Sequence, residues 1–341
     1  MKRCEIDKER LVYYDEMHYF CLKNCFNNCL ILNGIEDSLL RIRTGLEFKI
    51  RINYDKTNFN VLKHTLLLPF FDMNQVTCGM GDDSEEIFND NISKIPIIVL
   101  VDVYYLPYRK EYHKYHASHA VLLVGYDESM DFVEIIDWYG PYFYIGEIPY
   151  DEYLNARNSD NPNDVNPFSG FKINNYWYKI GVECKIDIKK NLIENLNGLR
   201  GDRKLITNNS VVGKEAVNTI TTIMQKKIEA EDIEIKRFCG TLHNELYILS
   251  RATELSILYY TEIKKKNLNM IDDRIILFVK NINESFKKMN YWLLKGSIKN
   301  SRDYLKKVLT KWIEFEKGFL QDVRLRRKIV ILSQFSLFAS S

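Results

Sequence analysis

Cys21, Cys25 and Cys29 stand four residues apart in the stretch YFCLKNCFNNCLILNG. That interval places one sulfur on each of three successive turns along one face of a helix. Such a row could supply disulfide halves, metal ligands, packing, or a nucleophile. The chain holds seven cysteines, Cys4, Cys21, Cys25, Cys29, Cys78, Cys184 and Cys239. An odd number with no repeating framework and no secretion signal predicts a reducing compartment, which argues against disulfides. The spacing matches neither the C-x-x-C pairs of zinc sites nor an iron–sulfur run, and adjacent turns of one helix cannot wrap a tetrahedral ion. Packing suits Cys25 and Cys29, because a free cysteine behaves as a small hydrophobe. A reactive thiolate is favoured at a helix start by unpaired N–H groups and the macrodipole, and this effect fades after the first turn. Cys21 is therefore the candidate nucleophile.

A thiol nucleophile needs a base beside it. The runs HAVLLVGYD (119–127) and FVEIIDW (132–138) are separated by a short acidic turn and read as a hairpin. Centred near residue 129, that hairpin brings His119 close to residues 137–139. Shared parity sends the side chains of His119 and Asp137 to the same face. A carboxylate beside an imidazole fixes its tautomer and stabilises the imidazolium, which is the supporting half of a nucleophilic triad. His113 and His116 in HKYHASH compete for the role, and that tract also suggests a metal-binding run. Only His119 falls where the hairpin delivers Asp137.

The elements that must carry these residues are legible on either side of them. IIVLVDVYYL (97–106), the two hairpin runs and GFKINNYWYKIGVECKID (170–187) read as strands of one antiparallel sheet. Ahead of them, apolar spacing of three and four predicts a helix from Cys21 to Asn33, stopped by Asn33-Gly34. The polar stretch NARNSDNPNDVNPFSG (155–170) reads as a lid or a surface excursion. From about residue 189 strand signals fade and helical spacing takes over to about residue 335, without internal repeats. The expected fold class is α+β, with an antiparallel-sheet domain over 1–188 and an all-helical domain over 189–341.

Charge divides at the same place. Residues 1–188 carry 19 Lys and Arg against 29 Asp and Glu, a balance of −10, whereas residues 189–341 carry 29 against 17, or +12. Opposite signs predict two units that attract each other, or a basic half that receives an acidic partner. Its basic residues are scattered among acidic ones without a recognition motif, so nucleic acid is not an expected partner. The longest apolar run, IPIIVLVDVYYL (95–106), is about half a membrane span and contains Asp102. With a charged beginning and no apolar segment behind it, the chain is predicted to be cytoplasmic, with no membrane partner.

The order of these residues resembles the papain-like cysteine-protease fold as used by bacteriocin-processing peptidases. There the nucleophile opens a helix in a pattern like Cys-x-x-x-Cys, here Cys21 to Cys25. The base begins a His-hydrophobic strand, here His119-Ala120-Val121-Leu122, and the acid corresponds to Asp137 in IIDWYG. A papain-like half followed by a helical half is similar in layout to the BtrH-type acyltransferases of butirosin biosynthesis and their relatives in thiotemplated assembly lines. The resemblance covers roughly residues 10–185. One departure stands out: papain-like proteases carry a Gln six residues before the nucleophile as an oxyanion donor. This chain has Asp15 six before Cys21, Tyr19 six before Cys25 and Lys23 six before Cys29. An oxyanion donor is worth about 3 kcal/mol, so a replacement is expected, such as a backbone N–H together with Tyr14 or His18.

What the resemblance implies is an acyltransferase with catalytic residues Cys21, His119 and Asp137 and no bound cofactor. The acyl group would arrive as a thioester on the phosphopantetheine of an acidic carrier protein, docked near the basic helical half. A small amine acceptor would take it as an amide. Tyr104, Tyr105, Trp138, Tyr139, Tyr142 and Tyr144 would either line an acyl or aryl tunnel or pack the sheet. Two alternatives stay open: a cysteine peptidase or amidase, in which water resolves the acyl-enzyme, and an inactive module that binds a carrier or peptide.

Overall fold

The computed structural model describes residues 2–4, 6–15, 21–42, 49–52, 59–61, 76–80, 96–126, 129, 131–139, 142–164, 168–180, 188, 190–191, 210–229, 235–266 and 271–325. In chain order its elements are β1 (Lys2–Arg3), α1 (Cys21–Leu32), β2 (Lys49–Ile52), β3 (Phe59–Val61), β4 (Val76–Gly79), β5 (Ile97–Asp102), β6 (Ser118–Tyr126), β7 (Phe132–Tyr139) and β8 (Tyr142–Pro149). There follow α2 (Tyr150–Asn158), β9 (Trp177–Ile180), β10 (Ser210–Val212), α3 (Gly213–Glu229), α4 (Ile235–Lys265), α5 (Asp273–Lys299) and α6 (Arg302–Leu325). They form two compact units: Met1–Arg43 with Pro69–Ile186, and Thr44–Leu68 with Asp187–Ser341. A division at 188/189 leaves the segment Thr44–Leu68 in the first half, whereas its contacts place it in the second unit.

The first unit is built on a seven-stranded antiparallel sheet in the order β4-β9-β5-β6-β7-β8, with β1 paired to the far end of β6. Its central strands are apolar on both faces. Odd-numbered residues of β5, β6 and β7 (Val99, Val101, Val121, Leu123, Ile135) pack with Tyr153 and Ala156 of α2. On the other face Phe26 of α1 meets Tyr178, the ladder partner of Ile98. Helices on both sides explain why these strands read as continuous apolar runs instead of alternating ones. β8 and α2 were absent from the sequence reading, and the strand expected over 170–187 is formed at Trp177–Ile180, with 181–187 outside the described residues.

α1 starts at Cys21 and stops at Asn33-Gly34, where Gly34 takes φ +82°, a left-handed value that glycine adopts without a Cβ clash. The Ile35 N–H then bonds back to the Leu30 carbonyl. Residues 23 to 30 are all buried, asparagines included, so their amides need partners. Asn28 clasps the extended segment before the helix: Oδ1 accepts from the Val12 N–H at 2.8 Å, and Nδ2 donates to the Val12 carbonyl at 2.8 Å. One turn earlier Asn24 makes the same pair of contacts, at 3.5 Å each, with the Tyr14 backbone. Ser38 donates to Asn27 at 2.9 Å.

The 155–170 stretch is held against the first unit at its described residues. Asn161 is fully buried and donates to the carbonyls of Phe168 and Phe171 at 3.0 Å each, while Arg157 donates to Asn175 O and Tyr176 O at 2.7 and 2.8 Å. Those bonds tie down the described residues of the stretch.

Among the described residues of the second unit α3 to α6 follow one another, with α4 (31 residues) and α5 (27 residues) the longest of them. A buried Ser250–Asn283 hydrogen bond of 2.7 Å joins them, and the Trp312 indole of α6 donates to Val217 O of α3 at 3.3 Å. Gly296 is required where α4 and α6 converge on α5, since a Cβ there would lie 2.9 Å from Cys239 Sγ and 3.0 Å from a Val308 methyl. The sequence predicts an all-helical half, whereas β10 pairs with β2 and β2 with β3 in a three-stranded antiparallel sheet.

Replacing Asn28 by Leu keeps the helix and roughly the volume but strips both partners from the Val12 backbone. A loss of about 1–3 kcal/mol of stability is expected, measured by urea unfolding.

Candidate active site

The site forms where two strands part. The β6–β7 ladder runs from Tyr126↔Val133 to Leu122↔Ile136, while β5 stays paired with β6 as far as Asp102↔Ser118. Beyond Leu122 the peptide of Ala120 is taken up by α1 instead. Its backbone bonds the Cys21 sulfur, and its carbonyl accepts the Cys25 thiol at 3.4 Å. The C-x-x-x-C interval is thus the distance over which one turn of α1 grips one peptide of β6. Cys29, another turn on, donates to Pro96 O at 3.7 Å.

At the same open end His119 Nε2 meets Asp137 Oδ1 at 2.6 Å. An ionised carboxylate only accepts, so Nε2 carries the proton and Nδ1 is left for Cys21. The structure therefore brings His119 against Asp137 on one side and close enough to Cys21 to lower its thiol on the other. Cys21 is half-buried and free, His119 has 12% of its side chain exposed, and Asp137 is completely buried. His113 and His116 lie elsewhere: His113 packs on Tyr112, and His116 bonds Asp102.

Asp137 has two further donors that sequence reasoning missed. Tyr108 Oη donates to Oδ2 at 2.8 Å and Arg109 Nη1 to the same oxygen at 2.9 Å. Both belong to the turn that follows β5, where no periodicity marks a residue as inward-facing. Tyr108 is fixed by a flat stack on Tyr144, 3.7 Å between centroids and 3° between planes, and Tyr144 is the ladder partner of Asp137 on β8.

Protonation follows from these contacts. Burial alone would raise the Asp137 carboxyl, but His119, Arg109 and Tyr108 together hold it down at about 2. Burial disfavours a charged His119, yet the Asp137 charge and its hydrogen bond, with the Cys21 sulfur, lift it to about 9. Desolvation pushes the Cys21 thiol up, and the His119 charge, its hydrogen bond and the Ala120 backbone outweigh that, so the pKa falls below the ordinary thiol value. Cys25 and Cys29, buried and remote from a cation, are both pushed upward. The arrangement favours a thiolate–imidazolium pair at Cys21 alone among the three. Lys23, two residues on and turned to another side of the helix, is completely buried, and burial lowers it to about 7.

The remaining candidates fall into place as follows. Tyr13 Oη lies 3.5 Å from Asp15, the backbone of Tyr14 pairs with Asn24, and His18 is outside the described residues. Of the six aromatics, Tyr104 stacks on His116, Tyr105 meets Tyr104 edge-on, Tyr144 stacks on Tyr108 and Trp138 meets Phe143 edge-on. The side chains of Tyr139 and Tyr142 lie outside the description. Among the described residues no group of three His, Cys, Asp or Glu side chains is arranged to hold a metal ion, and no helix is long and apolar enough to cross a membrane.

A helix-borne cysteine beside a histidine that is held by a buried acid is an arrangement able to activate a thiol. Residues 82–138 match the family model described as butirosin biosynthesis protein H, N-terminal, and over that stretch the chain resembles BtrH-type proteins. The matched segment contains Tyr108, Arg109, His119 and Asp137 and begins after Cys21. No curated protein matches the chain in sequence.

The raised His119 contributes stability that is fully present below about pH 6.5 and is lost as pH rises through about 9. The depressed Asp137 contributes above about 3.8, and this is lost as pH falls through about 2. The melting temperature is therefore expected to decline between pH 6.5 and 9 more steeply in the native protein than in His119→Ala. Calorimetry across that interval compares the two slopes, and equal slopes would contradict the assigned ion pair.

Proposed function

We propose that this chain is a cysteine acyltransferase with a papain-like catalytic unit. The grouping of Cys21 beside His119, whose other nitrogen meets the buried Asp137 at 2.6 Å, with the thiol lowered and the imidazole raised, is the observation that carries this reading. The match to the butirosin protein H model supports it over the segment that supplies His119 and Asp137.

In the first half-reaction the Cys21 sulfur attacks the carbonyl carbon of an acyl thioester carried on phosphopantetheine. The donor C–S bond breaks and His119 gives its proton to the departing thiolate. In the second, neutral His119 accepts a proton from an amine as the C–N bond forms and the Cys21–acyl bond breaks, which restores the thiolate–imidazolium pair. Asp137 stays ionised throughout and holds the ring. A thioester is already activated, so it asks less of an oxyanion site than an amide would. The excess of 29 Lys and Arg over 17 Asp and Glu in residues 189–341 supports an acidic carrier protein as the donor's bearer.

Incubation with an acyl-loaded carrier protein or an acyl-pantetheine thioester is expected to add the acyl mass to Cys21 and to no other cysteine, with added amines discharging it as amides. Cys21→Ala forms no adduct, and His119→Ala slows its formation by about 100-fold or more. Intact mass and peptide mapping read all of these outcomes. An adduct on Cys25 or Cys29, or discharge by water at a rate that amines leave unchanged, would overturn the reading.

A further inference from the structure

A second histidine–carboxylate couple lies just upstream of His119 and takes part in none of the steps above. Asp102, the last residue of β5, is completely buried. Its Oδ1 accepts from the N–H groups of Tyr104 at 3.1 Å and Ala117 at 3.0 Å. Oδ2 accepts from Ser159 Oγ at 2.5 Å and meets His116 Nδ1 at 2.7 Å. The donors come from three segments: the turn after β5, the approach to β6 and the end of α2. Because an ionised carboxylate only accepts, the His116 proton resides on Nδ1.

The couple has the form of a triad's supporting half but lacks a nucleophile, since the Ser159 hydroxyl is engaged by the carboxylate itself. It controls the path of the chain instead. The His116 ring lies flat on Tyr104, 4.1 Å between centroids and 5° between planes. The His116 N–H donates to Asp164 at 2.8 Å, and the Ser118 N–H donates to Phe168 O at 2.9 Å. Three successive residues, 116, 117 and 118, are thus clamped by their own N–H groups, and His119 is the next.

Only at His119 does the chain emerge from the clamp, opposite Val101 and one residue along from the Asp102↔Ser118 pair. We propose that Asp102 and His116 are positioning residues for the active site: through the clamped backbone they set the height and orientation of His119 between Cys21 and Asp137. The proposal rests on the reading of His119 as the partner of Cys21, and catalytic groups tolerate misplacement poorly, about 1 Å costing up to 100-fold.

Alkylation of Cys21 by iodoacetamide, followed against pH in the full chain, reads the thiolate–imidazolium pair without any acyl substrate. His116→Ala is expected to lower the alkylation rate below pH 8 by about 10-fold or more and to move the profile toward that of an ordinary thiol, leaving the high-pH rate unchanged. His116→Asn, whose amide offers a donor near the place of Nδ1, restores most of the native profile. A folded His116→Ala protein whose profile superimposes on the native one overturns the proposal. Where His116→Ala does not fold, Ser159→Ala removes one of the four donors and is expected to shift the profile in the same direction by less; an unmoved profile there also overturns it. A shifted profile in a protein that acylates with no thioester separates the two claims: positioning stands and acyl transfer fails.

Discussion

The Asp137 carboxylate is a charge with no exposure to water, and the active site depends on how that charge is kept. An ionised carboxylate is costly to bury unless it is surrounded by donors. Here His119, Tyr108 and Arg109 share its two oxygens: His119 comes from the start of β6 and the other two from the turn after β5, with Tyr108 backed by Tyr144 of β8. The sheet cannot slip by one residue, or the turn change length, without leaving this charge exposed to an apolar interior. Register, turn and strand splay are therefore fixed together by one group.

The same requirement shapes the electrostatics of the nucleophile. A buried thiolate would be expensive alone. In this site the Cys21 sulfur lies beside His119, which lowers its pKa, and the Asp137 charge is paired with the guanidinium of Arg109. Arg109 opposes the protonation of His119, while Asp137 and the Cys21 sulfur favour it, and the balance lies well on the charged side. Glu111, 3.4 Å from Arg109 Nε, tempers the guanidinium from its other edge.

Much of this was legible in the sequence because strand parity is a hard constraint. His119 and Asp137 share a face because pairs such as Leu122↔Ile136 join residues of like parity; the turn-side pairs, such as Gly125↔Glu134, have the opposite parity, and the one-residue irregularity between Leu123 and Gly125 is what brings residues 119 and 137 to one face. Helical spacing similarly exposed the long helices of the second unit. Tyr108 and Arg109 were not legible, since a turn carries no period. β8 was hidden by the tyrosines and Gly146 that break its alternation. The bonds that Asn161 and Arg157 make to the carbonyls of Phe168, Phe171, Asn175 and Tyr176 were hidden too, because polar composition presents such residues only as a loop.

The three evenly spaced cysteines show how position divides identical side chains among different tasks. All three lie along one face of α1, and the Ala120 peptide of β6 touches two of them. Cys25 gives its S–H to the Ala120 carbonyl and fixes how deep the helix sits. With that depth set, the sulfur one turn earlier arrives beside the Ala120 backbone and the His119 ring, at the half-open end of the sheet. Cys29 does the same structural work as Cys25 one turn further, against Pro96. Burial raises the Cys25 and Cys29 thiols while the His119 ring lowers Cys21, so the even spacing separates one lowered thiol from two raised ones.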